Sequence, residues 1–535
     1  MIMKINKYFY IVMITIILAI FGYHYKLNYD VAIQPPSEKW AKEVLVHKGD
    51  IKGLPSITKF KDNYMVAFSE GMNINLISID PLGKVLKESS IPVNTEVPQN
   101  INIFVSEEGK LVLSYIIGGG DSGELTVSYI DEGLNVLDTT SVQGLRSYIK
   151  IDDNTLGAVY KEKIDLISLK ENKVTTVNTG DDTFLASVVK YNNKDCIVYS
   201  NYFGEFSYFF LDNGVASEIK TGGAMSPSSR VRFSTMTSVI NKDIVTNLIE
   251  YMYKSDYTGY KYVAFSLETG ETLDSGEFPI KDRFAEKGYI YNGEGVTLAT
   301  PVPYRNDKGT FLLSSTRDMP KGKNQTDIIE MPIEGNLGVA SEVVSRTKAV
   351  SISPAIYEDT VVFVDPIKDG SAKLYITSTR EDFKEVNNKP RFDEKVQVFV
   401  ETSESLLFSL AYVITNGMTW IIPSVTLFSL LSLIEYRFSY GIRKAIFILT
   451  YIVTAIVKIL AVKGFFFKKL QGTLPVNFTF LVGASAMAAI SIVCLIYGYL
   501  NYKDDLEKNV LALSYTKPIF IDSFLTLALF VGFIK

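Results

Sequence analysis

Pro55-Ser56-Ile57-Thr58-Lys59-Phe60, then Lys61-Asp62-Asn63, then Tyr64-Met65-Val66-Ala67-Phe68 is the stretch that decides the fold. It reads as a strand, a tight polar turn and a second, more apolar strand. β-Branched and aromatic residues suit a pleated surface, and a short polar turn between two such runs marks a hairpin. The unit returns with turns at Glu107-Glu108-Gly109, Asp152-Asp153-Asn154, Asn192-Asn193-Lys194, Asn241-Lys242-Asp243, Asn292-Gly293-Glu294 and Glu358-Asp359. Each turn precedes an apolar run such as Leu111-Val112-Leu113 or Val361-Val362-Phe363-Val364. Seven copies, spaced roughly 40 to 65 residues apart, have the period of propeller blades.

Each copy supplies a second hairpin, for example Leu76 to Ile79, a turn from Asp80 to Gly83, and Lys84-Val85-Leu86. Gly, Asn and Asp tolerate the positive φ of tight hairpins, so four short strands make one blade. A single blade cannot bury both faces, whereas seven in a ring do. Ala41 to His47 matches the outer-strand pattern of Val339 to Val344 and is expected to pair with the last blade and close the ring. Across Ala41 to Lys389 the chain resembles bacterial β-propeller repeat domains, without the Trp-Asp or Gly-His signatures that name a family. The fold expected is an all-β seven-bladed β-propeller; the alternative is a pair of β-sandwiches.

The propeller is flanked by apolar sequence. Tyr8 to Tyr25 and Leu406 to Ile434 contain no charged residue. Each is long enough to cross a hydrocarbon core of about 30 Å as a helix. Further helices are expected near Ala445 to Val462, Phe478 to Leu500 and Pro518 to Ile534, giving five spans. Lys4 and Lys7 before the first run keep its N-terminus inside under the positive-inside rule, making it an uncleaved signal anchor, with a cleaved signal peptide as the alternative. The loops with Arg437, Arg443 and Lys444, and with Lys503, Lys508 and Lys517, then also fall inside. Lys458 interrupts Ala445 to Val462, which leaves an interfacial placement of that helix open. The division is thus 1–29 as cytoplasmic stub and membrane helix, 30–404 as extracytoplasmic propeller and 405–535 as a four-helix membrane region.

Charge separates the parts: Asp30 to Glu404 carries a net −14 and the remainder +9. An acidic domain repels phosphate backbones, which argues against nucleic acid as a partner. The two histidines, His24 and His47, are too few for a histidine-based metal site. Cys196 in an apolar strand and Cys494 in a membrane segment are not expected to meet. Gly118-Gly119-Gly120-Asp121-Ser122-Gly123-Glu124 lacks the helix and Lys-Ser/Thr of a phosphate loop. Oxygen ligation of a cation by Asp121 and Glu124 is the weaker reading beside a solvated connection. Asn324-Gln325-Thr326 matches a glycosylation acceptor only formally.

Two sets of residues are candidates for function. Tyr251, Tyr253, Tyr257, Tyr260 and Tyr262 in the fifth blade form a tyrosine-rich insertion of the kind enriched at contact surfaces, with hairpin packing as the plain alternative. Gly222 to Met225 and Pro301 to Lys308 are candidates to share its face. Lys458 and Asp522 are ionisable at membrane depth, where such groups are costly and often functional. Their plain reading is that Lys458 snorkels toward Lys463 and that Asp522 sits one turn inside its helix near Lys517.

The expected function is a non-catalytic, membrane-tethered extracytoplasmic propeller acting as a binding, scaffold or sensor module. Its partners are the lipid bilayer and a protein or cell-envelope polymer, and no cofactor is expected. The alternative is a transport or envelope-biogenesis component whose active part is the helical bundle. An extracytoplasmic propeller hydrolase with paired carboxylates in the central channel stands third.

Overall fold

The turn-and-strand repeat folds as seven separate antiparallel-based sheets. The computed structural model describes every residue except 1, 94–95, 181, 202, 213, 226–230, 254–256, 283–297, 306–307, 320–322, 336, 348–349, 368, 435–436, 465–477, 506–510 and 534–535. The expected turn at Asn292-Gly293-Glu294 lies outside the described residues. Blade one consists of Ile51–Phe60, Asn63–Glu70, Asn73–Ile79 and Val85–Pro92, paired in chain order. Blades two to six follow over 99–145, 147–178, 183–224, 231–277 and 280–343, and the last three strands of the ring over 352–378. Four of the turns place non-glycine residues at positive φ: Lys61 at 56°, Asn192 at 49° with Asn193 at 63°, Lys242 at 58° and Glu358 at 51°.

The strongly apolar second strand of each repeat is explained by burial on both of its faces. In blade one, Tyr64, Val66 and Phe68 pack with Val362, Val364, Leu374 and Ile376 of blade seven. Met65 and Ala67, pointing the other way along the same pleat, pack with Ile101, Ile103, Leu111 and Leu113 of blade two. Fully burying a Val, Leu or Ile contributes roughly 1.5–3 kcal/mol, so the ring is held by seams between blades. Hydroxyls add to those seams: Ser56 Oγ accepts from Ile103 N at 3.0 Å, Ser187 Oγ from Ser238 N at 3.1 Å and Thr300 Oγ1 from Ser353 N at 3.1 Å.

Blade seven is completed from the other end of the domain. Val44–Gly49 pairs antiparallel with Ala372–Ser378, Val44 opposite Ile376 and Gly49 opposite Ala372. Ala41 N donates to Ser378 O at 3.0 Å, and Thr377 Oγ1 donates to Ala41 O at 2.8 Å. Just upstream, Trp40 is wholly buried among Leu312, Ile328, Val344, Val361 and Phe363, and its Nε1 donates to Glu330 at 2.5 Å. The N-terminal segment thus closes the ring as a strand and wedges the seam between blades six and seven.

The chain divides into two compact units, Pro35–Lys389 and the remainder, Met1–Gln34 with Pro390–Lys535. The second unit is helical. It contains α1 (Ile2–Ala32), while the short α2 (Glu381–Asn387) belongs to the propeller unit. Then α3 (Phe392–Tyr412) continues through a π-helical turn at Val413–Gly417 into α4 (Met418–Ile434), and α5 (Tyr440–Val462), α6 (Phe480–Asp505) and α7 (Leu511–Val531) follow. The boundaries expected at 29/30 and 404/405 fall inside α1 and α3. The reason is that both helices run on as polar or amphipathic sequence beyond their apolar runs, as with Lys26 and Asp30 in α1 and Asp393 to Glu404 in α3.

Among the described residues, four segments are long and apolar enough to cross a membrane: Tyr8–Ala32, Phe392–Ile434, Gly441–Val462 and Phe480–Tyr502. The fifth expected span, in α7, forms a helix of 21 residues but is not among them, being interrupted by Lys517, Pro518 and Asp522. The 43 residues of Phe392–Ile434 measure about 65 Å at 1.5 Å per residue, roughly twice a hydrocarbon core. The π turn sits within this helix and includes Asn416-Gly417.

Candidate functional site

Three helices of the helical unit each turn a periodic face inward. On α5 the buried positions include Phe447, Tyr451, Thr454, Lys458 and Val462; on α6 Met487, Ser491 and Cys494; on α7 Tyr515, Ile519, Asp522 and Thr526. Spacings of three and four residues keep each set on one side of its helix. Gly498 lets α6 approach α7 closely, since a Cβ there would meet Pro518 Cγ at 2.8 Å.

The convergence of these faces creates a buried ion pair. Lys458 Nζ lies 2.7 Å from Asp522 Oδ1, with side-chain exposures of 0% and 2%. The ammonium also donates to Ser491 Oγ at 2.7 Å and to Thr526 Oγ1 at 3.0 Å, so its three hydrogens have three oxygen acceptors. Ser491 Oγ in turn lies 3.2 and 3.1 Å from the two Asp522 oxygens. Lys458 therefore does not snorkel toward Lys463, and Asp522 does not face the basic loop at Lys517. Each finds its counter-charge in the interior, where an unpaired charge costs far more than the side-chain entropy of pairing.

Polar groups continue along the same faces. Thr454 Oγ1 lies 3.0 Å from Tyr515 Oη and donates to Thr450 O at 2.9 Å. Tyr451 Oη is buried beside the Cys494 thiol. On the neighbouring turn of α7, Ser523 Oγ accepts from Trp420 Nε1 at 2.9 Å. The cluster can hold a cation among a carboxylate and two hydroxyls.

The tyrosines of the fifth blade are mostly interior. They lie on the hairpin Ile244–Tyr253 and Tyr257–Ser266, with Tyr253 opposite Tyr257. Tyr251 packs over Gly259, where an added Cβ would fall 2.7 Å from its ring. Thr300 N donates to Tyr260 Oη at 3.0 Å, Tyr260 Oη reaches Glu250 at 3.3 Å, and burial raises the phenol. Tyr262 meets Phe278 edge to face at 5.4 Å. Tyr251, Tyr260 and Tyr262 thus belong to the core and present nothing to a partner, because the expected insertion is a paired hairpin with two buried faces. The side chains of Tyr253 and Tyr257 lie outside the described residues. Gly222 and Gly223 likewise pack on Phe265 and Val263 rather than forming an open loop.

Other groups singled out from sequence have structural partners. Asp121 binds the Arg146 guanidinium at 2.5 Å, which holds its carboxyl below the usual range; the same guanidinium reaches Asp182 at 2.5 Å. The Gly118–Glu124 loop is pinned by a protein cation. Cys196 is buried, which pushes its thiol up to about 12. Gln325 donates to Asp327 at 2.8 Å and to Thr347 O at 2.9 Å, within the strand Lys323–Glu334. His47 stands in the closing strand 3.3 Å from Glu70 and 3.8 Å from Glu88, beside a cavity of about 240 Å³ lined also by Asn75, Ile77, Ser89 and Ser90. Among the described residues, no group of three or more His, Cys, Asp or Glu is placed to hold a metal ion.

No protein-family model matches the chain, and no curated protein matches it. Similar solved structures include one described as U3-55K, 10% identical, covering 64% of this chain and 99% of its own with a TM-score of 0.41. Another belongs to a mitotic checkpoint complex, 10% identical, covering 64% and 91% with a TM-score of 0.37.

Proposed function

We propose that this protein is a membrane-anchored β-propeller that works by binding, with the propeller outside the cytoplasm and a protein or cell-envelope polymer as its partner. The observation that carries the reading is the closed ring whose chain ends continue, within a few residues, into α1 and α3, both of which contain segments long and apolar enough to cross a membrane. Rigid rings of blades offer broad end faces for contact, and the flanking helices keep such a face close to one compartment. The signal-anchor orientation rests on Lys4 and Lys7 before the first apolar run.

The test is crosslinking in intact cells followed by purification from membranes, repeated with excess soluble Pro35–Lys389 as competitor. The fragment should displace the captured partner. Capture that survives competition, yet is lost on altering the bundle, rejects the propeller as the binding element. Orientation is checked separately: a cysteine near Asp182 should react with an impermeant reagent in intact cells, and one near Arg443 should not.

A second reading is favoured by one observation. The occluded Lys458–Asp522 pair is a costly feature for a passive anchor, and it supports a transport or envelope-biogenesis role centred on the bundle.

A further inference from the structure

We infer that Asp522, Ser491 and Thr526 form a monovalent-cation site that the protein plugs with its own Lys458 ammonium. The inference rests on the reading that the bundle is an active part, and it does not depend on what the propeller binds. Its basis is the coordination of Lys458 Nζ: one carboxylate oxygen and two hydroxyl oxygens, at 2.7, 2.7 and 3.0 Å, with the side chain wholly shielded from solvent. These are the contacts a free ammonium ion would make. They are too long for magnesium, which needs about 2.0–2.1 Å, or for calcium, at about 2.3–2.6 Å.

The site is built from three helices. α7 supplies Asp522 and Thr526, one turn apart on the same face, α6 supplies Ser491, and α5 carries the plug. Only one of the four is cationic, and it is the only one tethered by a long flexible stem, whereas the three oxygen donors sit on short side chains close to their helices. Withdrawal of the ammonium along its stem thus leaves the oxygens in place around a hole sized for a similar cation. A second polar group borders the region: Tyr451 Oη, buried, makes no hydrogen bond to nitrogen or oxygen among the described residues and lies beside the Cys494 thiol. A buried hydroxyl in that condition calls for an explanation, and a further donor for an incoming ion supplies one.

In the wild-type chain, the tethered ammonium competes at an effective concentration in the millimolar range or above, so a free cation enters only when Lys458 is displaced. The site therefore has two exclusive occupants, one covalent and one exchangeable. The ligand class is a small monovalent cation: ammonium, a primary alkylammonium, or potassium.

The experiment uses the full chain in detergent or nanodiscs, with Lys458→Ala as the vacated site. Thermal unfolding is followed in choline chloride, too bulky to enter, and in ammonium, methylammonium or potassium chloride at equal ionic strength. The variant should melt well below wild type in choline and recover saturably with a small cation, by about 4 °C at ten times its dissociation constant. Wild type should be indifferent to the swap. Lys458→Ala/Asp522→Asn should lose the dependence, and Lys458→Gln, which fills most of the space without a charge, should fold with little of it. Equal melting of Lys458→Ala in all salts overturns the proposal. Failure of Lys458→Ala to fold in every salt while Lys458→Gln folds overturns it too, because vacated oxygens that cannot take a free cation are not a cation site.

Discussion

Replacing Asp365 by Asn should stabilise the propeller at pH 8 and leave it nearly unchanged at pH 4. Asp365 lies on Thr360–Pro366 of blade seven, 2% exposed, and its Oδ1 has no hydrogen-bond partner among the described residues. Burial pushes its carboxyl up to about 7, the neighbouring Glu43 adds to the rise, and the hydroxyls of Thr347 and Ser351 and the Lys373 ammonium oppose it. The folded state thus holds this proton more tightly than the unfolded chain, where an Asp titrates near about 3.9. Its contribution to stability is full below about pH 4 and is lost as pH rises through about 7. Three units at about 1.4 kcal/mol each place that loss on the order of 4 kcal/mol, an upper figure for the gain from Asn at pH 8. Urea unfolding of Pro35–Lys389 and its Asp365→Asn variant across this range, read by circular dichroism, measures the difference directly. A wild-type midpoint that stays level between about pH 4 and 8, or a variant weaker than wild type at pH 8, refutes the reasoning.

Three further outcomes are expected. Leu45→Pro should lower the urea midpoint of the propeller by breaking the closing strand opposite Tyr375, and an unchanged midpoint would mean the ring does not depend on that strand. Tyr260→Phe should cost about 1–3 kcal/mol, since it leaves the Thr300 amide without its acceptor; a neutral result in chemical denaturation would remove Tyr260 from the seam. Lys458→Met and Asp522→Leu should each destabilise the bundle by roughly 3–5 kcal/mol, and the double variant should recover most of the loss. Additive losses in that cycle would show that the two charges do not stabilise one another.

The blades were legible because their signal is local. A turn such as Lys61-Asp62-Asn63 and the run Tyr64 to Phe68 lie within one hairpin, and the double burial of that run needs only its composition to be noticed. Ring closure was legible for a related reason: Val44-Leu45-Val46 is a strand with no partner nearby in sequence. The ion pair was not, because Lys458 and Asp522 meet only through the packing of α5 against α6 and α7, which apolar spacing alone does not orient. Had Lys458, Ser491 and Asp522 each been placed on the wheel of its own helix, the shared inward faces would have pointed to it. The tyrosine cluster misled for the opposite reason. A run of Tyr at alternate positions reads equally as surface or as seam, and Gly259, which makes room for the Tyr251 ring, is the residue that decides it.

The strand that completes blade seven is also the first part of the propeller to be synthesised. Val44 is made more than three hundred residues before its partner Ile376. At about 5–20 residues per second, its edge waits roughly 20 to 60 s for the strand it must join. In that interval an unpaired N-terminal edge on one chain coexists with blades seven that lack an outer strand on others nearby. The characteristic error is therefore exchange, with the strand of one copy completing the ring of another, and it should increase with expression level. A factor that shields Val44–Gly49 until Ala372–Ser378 emerges would raise the yield of correctly closed rings without touching the finished protein.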